Sequence, residues 1–199
     1  MMTRSLCLAA IVVATSIGGS AIVRAQPADE MRFDDQPGYE PDANEKIPAA
    51  FQRQAVFFRS SEPVGTIIVH TSERFMYLVQ GSNRALRYGI GVGRDGFQWA
   101  GLLKISRKSE WPDWTPPQEM IERQPYLPRW MAGGPGNPLG ARALYLGGTV
   151  YRIHGTNQPH TIGQAVSSGC FRLVNNDVID LYDRVPVGAK VVIRHAASL

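Results

Sequence analysis

The residues best suited to chemistry in this chain are Cys170, in the run Ser167-Ser168-Gly169-Cys170-Phe171-Arg172, and His154, sixteen positions earlier in Ile153-His154-Gly155-Thr156-Asn157. A thiol attacks as its thiolate, and with a reference pKa of about 8.5 only a minor fraction is ionised at neutral pH, so a neighbouring base is useful. His154 is the best candidate for that base. It is expected at a strand end, where Gly155 lets the backbone turn sharply and leaves the imidazole facing a cleft. Gly169, directly before the sulfur, suits a tight turn or the close approach of a substrate backbone, and successive N–H groups of Ser168, Gly169 and Cys170 could form an oxyanion hole. These are the parts that acyl transfer requires. The bland alternative for a lone cysteine is a buried, inert thiol; the two spaced motifs weigh against it.

The other cysteine, Cys7, lies in a segment expected to be removed. Arg4 supplies a short positive start, Leu6 to Val13 an apolar core, Gly18, Gly19 and Ser20 a break, and Val23-Arg24-Ala25 a cleavage site with small residues where a signal peptidase reads them. The uninterrupted apolar stretch is far shorter than the ~20 residues that span a bilayer. Residues 1–25 are therefore expected to be a signal peptide. The mature chain would then lie outside the cytoplasm, without a permanent membrane span or an intrachain disulfide, and would carry one unpaired thiol.

Charge is uneven. Residues 26–50 hold seven acids against two bases, whereas residues 51–199 hold seventeen bases against ten acids. The basic residues of the second part are scattered singly, with no basic run, which argues against nucleic acid as a partner. Arginine used singly suits carboxylate recognition through its forked donors. Residues 26–62 are rich in Pro, Asp, Glu and Gln with little periodicity and read as a flexible, acidic arm. The folded domain is expected over 63–196.

The elements that must position the sulfur and the imidazole are mostly strands. Thr66-Ile67-Ile68-Val69-His70, Phe75-Met76-Tyr77-Leu78-Val79 and Ala85-Leu86-Arg87-Tyr88-Gly89-Ile90 are β-rich runs separated by turn residues such as Gly81-Ser82-Asn83, which suits an antiparallel meander. Further strands are expected at 102–106, 143–146, 150–154 and 190–194. One helix stands out: Asn176 as N-cap, Asp177 in the first turn, Val178, Ile179, Leu181 and Tyr182 on an apolar face, then Pro186 and Gly188 as terminators. The expected fold is mainly β, an antiparallel sandwich or partly open barrel with one or two short helices. Between Arg107 and Gly140 the composition changes, with Trp111, Trp114 and Trp130 interleaved among prolines. That stretch reads as a long loop pinned by its aromatics, and as a lid or wall over a cleft whose tryptophans are candidate substrate contacts.

The set His154-Gly155-Thr156, followed by Ile162-Gly163-Gln164-Ala165-Val166-Ser167-Ser168-Gly169-Cys170-Phe171-Arg172-Leu173-Val174-Asn175, resembles the signature of the L,D-transpeptidase catalytic domain. The likeness covers roughly Val64 to Ile193, and the Trp/Pro segment resembles versions found in exported proteins of Gram-negative bacteria. The resemblance implies a periplasmic enzyme acting on peptidoglycan stem peptides without metal or cofactor. Cys170 would attack the carbonyl between the L-centre of meso-diaminopimelate and a terminal D-alanine, release D-alanine and form a thioester. His154 would move the protons, oriented by the backbone carbonyl of Gly155. Arg172 would hold a stem carboxylate or brace the loop, and Thr156 and Ser167 would lie beside the substrate. Ser168 stands where many relatives have His, which puts any donor-positioning role of that His in doubt. The acceptor stays open at this point: a diaminopimelate amine, water, or the N-terminal amine of an outer-membrane protein.

Two other classes compete. Papain-like and wall endopeptidase thiol hydrolases also use Cys and His, but usually with Cys first in the chain. A wall-binding or zinc-binding module would use His154, His160 and Cys170, whose spacings match no common structural zinc pattern.

Overall fold

The computed structural model describes residues 36–40 and 47–195. Cys7, the signal segment and most of the acidic arm lie outside the described residues. Eleven strands and two α-helices are present among them: β1 Gln54–Phe57, β2 Ile67–His70, β3 Phe75–Gly81, β4 Arg84–Gly89, β5 Val92–Gly93, β6 Gly101–Glu110, α1 Gln118–Arg123, β7 Arg142–Leu146, β8 Arg152–His154, β9 Ala165–Ser167, β10 Phe171–Arg172, α2 Asn175–Arg184 and β11 Lys190–Arg194. The fold is mainly β with two helices, as the sequence predicts. The order of the large sheet is β1-β4-β3-β2-β11-β6-β7-β8-β10, beside a two-stranded β5-β9 ladder.

The sheet is mixed, which corrects the expected all-antiparallel arrangement. β11 runs parallel to β2, β10 parallel to β8 and β9 parallel to β5. The meander β2-β3-β4 is antiparallel as expected, and Ser82 and Asn83 turn its second hairpin with φ of 50° and 54°. Positive φ at both loop positions matches the twist of the flanking strands. β1 belongs to the region expected to be a flexible arm, yet it pairs antiparallel with β4, Gln54 opposite Arg87 through Phe57 opposite Arg84. Four residues with one half-buried position carry too weak an alternation to be read as a strand.

β6 joins the two halves of the molecule. Residues 101–104 pair with β11, whereas 105–110 pair with β7 after a register shift between Ile105 and Arg107. Such an irregularity bends and twists a strand locally, so the β7-β8-β10 end is turned relative to the β1-to-β2 end and the sheet does not close into a barrel. The main core lies inside this bend, built from Ile67, Val69, Met76, Tyr88, Ile105, Leu144, Leu146, Ile153, Phe171 and Val191 with Val178 and Leu181 of α2. Ile68 points the other way, onto Tyr77, Val79 and Ala85, as the two-residue period of a strand requires.

α2 begins at Asn175, and its N-cap position is Val174 rather than the expected Asn176; no side-chain cap bond forms there. Asn175 instead turns its Oδ1 to accept the N–H of Ala141 at 2.9 Å, across to the end of the Trp/Pro segment. The other end of the helix face is anchored by Asp180, which accepts from Tyr88 Oη at 2.7 Å and pairs with Arg53 at 2.9 Å.

The Trp/Pro segment carries a small core of its own. Trp114, Met120, Ile121, Leu127 and Leu139 cluster together, and Trp114 and Met131 exchange backbone hydrogen bonds at 2.9 and 2.8 Å. No helix among the described residues is long and apolar enough to cross a membrane.

Candidate active site

β10 is two residues long, and its parallel register with β8 sets Phe171 opposite Ile153 and Arg172 opposite His154. Phe171 and Ile153 fill the main core. Alternation along a strand therefore sends Arg152, His154 and Arg172 to the other face, and Cys170, one residue ahead of β10, opens onto the same side. The outcome is a cavity of about 50 Å³ walled by His154, Cys170, Arg152, Arg172, Ser167 and Ser168 on the strand side. Trp114, Pro117, Met120 and Leu139 of the Trp/Pro segment close it from above, with Val150 and Tyr151 at one end. Cys170 is half-buried and outside any disulfide, and His154 is 3% exposed.

Backbone contacts hold the imidazole. His154 Nδ1 lies 2.6 Å from the Gly155 carbonyl oxygen. A carbonyl only accepts, so Nδ1 carries the proton in this contact and Nε2 keeps its lone pair. Gly155 has no side chain because none fits: a methyl there would be driven into Asn175 Oδ1 and within 3.0 Å of the Ala141 nitrogen. The short α2 entry and the strand end thus interlock directly behind the histidine.

The histidine is held neutral. Burial lowers its pKa from 6.5 to about 3, the positive charges of Arg172 and then Arg152 push the same way, and the Gly155 bond opposes them. The field that disfavours an imidazolium favours negative charge on this face, on a sulfur or on a carboxylate.

The loop carrying the sulfur is pinned from several sides. Ser167 Oγ donates to the Cys170 carbonyl at 2.6 Å and accepts the Gly169 N–H at 3.2 Å, while the Arg94 N–H bonds the Ser167 carbonyl at 3.0 Å. Gly169 adopts φ +103°, a conformation that favours glycine, and a Cβ there would meet Tyr151 Cε1 at 2.6 Å. Trp99 stacks on Tyr151 at 4.5 Å between ring centroids and its Nε1 donates to the Gly169 carbonyl at 2.9 Å. The Gly169 N–H is thus directed inside its own turn, at Ser167 Oγ.

Of the candidate contacts, Trp114, Ser167 and Arg172 line the cavity together with Cys170, His154 and Ser168. Trp111 and Trp130 do not; they are 42% and 57% exposed. Thr156 is buried behind the site, where its Oγ1 accepts the Gln158 N–H at 2.9 Å. His160 packs edge-on against Tyr39 at 5.8 Å, and no three His, Cys, Asp or Glu among the described residues could hold a metal ion together. Arg152, Tyr151 and Trp99 also belong to the site or its support, and the sequence motifs do not point to them. Arg152 was within reach of the strand alternation, two residues before His154; Trp99 carries no signal in the sequence.

The L,D-transpeptidase catalytic domain family model matches residues 65–193, and therefore contains every residue of the Cys170 cavity. Over 136 residues the chain is 40% identical to the probable L,D-transpeptidase ErfK/SrfK of Escherichia coli, and over 135 residues 39% identical to the probable L,D-transpeptidase YbiS of the same organism. These alignments cover 64% and 63% of this chain but 43% of each relative, so the chain spans less than half of their length. A solved structure from Brucella melitensis, named a probable carnitine operon oxidoreductase, is 48% identical, with a TM-score of 0.50 over 77% of this chain and 96% of that one. L,D-transpeptidase 3 of Mycobacterium tuberculosis, 13% identical, shares the fold with a TM-score of 0.51 over 67% of this chain and 61% of that one. On the match over 65–193, this chain belongs to the L,D-transpeptidase catalytic domain family.

Proposed function

We propose that the protein is a peptidoglycan L,D-transpeptidase that works through a thioester on Cys170. The observation that carries this reading is the shared cavity of Cys170 and His154, with the imidazole turned by the Gly155 carbonyl so that its free lone pair lies at Nε2. The thiol proton passes to Nε2 as the sulfur attacks the carbonyl of the amide between diaminopimelate and the terminal D-alanine. The C–N bond breaks, the proton moves on to the leaving amine, and the acyl group stays on sulfur. An entering amine reverses the sequence: its nitrogen bonds to the acyl carbon, the C–S bond breaks, and its proton returns to sulfur through His154. The Gly169 N–H is already spent on Ser167 Oγ, which leaves the backbone N–H groups of Ser168 and Cys170 as the donors for the developing oxyanion, and the Arg152 and Arg172 charges favour it.

Export is part of the proposal, with residues 1–25 as the signal peptide and the periplasm as the place of action. The stem peptide of the wall is the donor. Transfer to an amine makes a cross-link, transfer to water trims the stem, and transfer to the N-terminus of an outer-membrane protein attaches it to the wall.

The test is mass spectrometry of the products after incubation with purified tetrapeptide stems. Loss of D-alanine with formation of dimers is expected from the wild type and neither from Cys170→Ala; products that persist in the variant would refute the nucleophile. One solved family member is a complex with a faropenem-derived adduct. A penem or carbapenem is accordingly expected to add its mass to this protein at Cys170, and an intact mass that stays unchanged would count against the site.

A further inference from the structure

Beside the Cys170 cavity lies a second, larger one of about 220 Å³, and the two share Pro117, Met120, Val150, Tyr151 and Ser168 as a common wall. The second cavity adds charge. Glu119 and Arg123, one turn apart on α1, both line it, as the spacing of four residues on a helix allows. The Arg123 guanidinium carbon lies 5.6 Å from the centre of the Phe97 ring, and an Nη donates to Ser168 Oγ at 3.4 Å. Its Nε is enclosed without an acceptor. A buried donor left unpaired is costly, and the guanidinium fork matches the two oxygens of a carboxylate. Ser168 is two residues from the nucleophile, so the guanidinium reaches the edge of the reaction site.

Resting on the transpeptidase reading above, we infer that Arg123 binds the carboxylate carried by the amine component, both as it leaves and as it enters. D-alanine, expelled in the first step, bears a carboxylate on the carbon attached to its nitrogen. The entering amine approaches the same acyl carbon from the place that the leaving amine vacates. A subsite that holds the first by its carboxylate therefore selects a second built alike: an amine with a carboxylate on the adjacent carbon. Water has no such group, and a protein N-terminus has an amide in its place. Glu119 is exposed and of opposite sign, so the cavity suits a group that carries both amine and carboxylate better than a bare anion. In the transfer step the amine nitrogen bonds to the thioester carbon, the C–S bond breaks, and the amine proton reaches Cys170 Sγ through His154.

The experiment gives the full chain a tetrapeptide donor with equal amounts of D-methionine and D-methioninamide, which differ only in the carboxylate, and reads the two exchange products by mass spectrometry. The wild type is expected to favour D-methionine by about tenfold, the worth of one modest charged hydrogen bond. Arg123→Gln is expected to bring the ratio near one, and Arg123→Lys, which keeps the charge without the fork, to fall between. No preference in the wild type, or a ratio unchanged in both variants, overturns the inference. Failure of the wild type to form any acyl-enzyme at Cys170 overturns the transpeptidase reading itself.

Discussion

The neutral, buried imidazole has a consequence for stability that can be worked from the structure. His154 is 3% exposed and its pKa falls from 6.5 to about 3, first through burial and then through Arg172 and Arg152. In the unfolded chain the same group takes up a proton near 6.5. Because the folded value is the lower one, the unfolded state binds more protons between the two values, and stability is lost as pH falls through that window. At about 1.4 kcal/mol per unit, the loss between pH 7.5 and pH 5.0 amounts to about 2 kcal/mol from this residue alone. Asp177 acts in the opposite direction: burial raises its pKa from 3.8 to about 6, with Asp180 adding to the rise and Arg53 resisting it. Its contribution is present at low pH and lost as pH rises through 6, so the wild-type slope is the difference of the two. His154→Gln isolates the first. Urea unfolding followed by tryptophan fluorescence at both pH values should show the wild type losing about 2 kcal/mol more than the variant. Equal losses in both proteins would refute the claim that a proton-free imidazole is buried here.

The neutral state also predicts that the rate of Cys170 acylation shows no inflection near pH 6.5; one at that position, absent in His154→Gln, would mean that the histidine titrates normally. Gly155→Ala should destabilise the protein by about 2 kcal/mol through the collision with Asn175 Oδ1, read as a lowered urea midpoint; an unchanged midpoint would show that the loop yields freely. Gly169→Ala should slow β-lactam acylation by tenfold or more, because its φ of +103° and the 2.6 Å approach to Tyr151 Cε1 force the turn to move the sulfur; an unaltered acylation rate would remove the turn from the mechanism. Asn157 is fully buried and its Nδ2 donates to the carbonyls of Gln36, Tyr39 and Gly136, tying the N-terminal segment and the Trp/Pro segment to the histidine loop. Asn157→Leu is expected to cost about 2 kcal/mol by removing the donors that hold the three segments together, and calorimetry that finds the melting temperature unmoved would contradict it.

How much of this was legible in advance depends on the range of the interaction. Strands of the meander and the hairpin at Ser82-Asn83 follow from local residue types, since β-branched runs and turn residues act over a few positions. The helix from Asn175 was readable from its apolar spacing, but its cap was not, because Asn175 spends its side-chain oxygen on Ala141, 34 residues away in sequence. Parallel pairing of β11 with β2 and of β10 with β8 lies beyond any local pattern. Among the tryptophans, composition cannot separate Trp114, buried in the cavity roof, from Trp111 and Trp130, which face solvent.

The amino-acid sequence by itself determined the candidate thiol–imidazole pair and its order in the chain, since thiol, imidazole and the glycines beside them are covalent facts with few chemical uses. It also determined the mainly β character through the residues of its strands. Tertiary structure alone decided that Arg152, His154 and Arg172 share one face, that burial and two guanidiniums keep the imidazole neutral, and that Arg123 stands beside the Cys170 cavity. Those outcomes depend on strand register, on the bend at Ile105 and on desolvation, each of which exists only when distant parts of the chain are packed together.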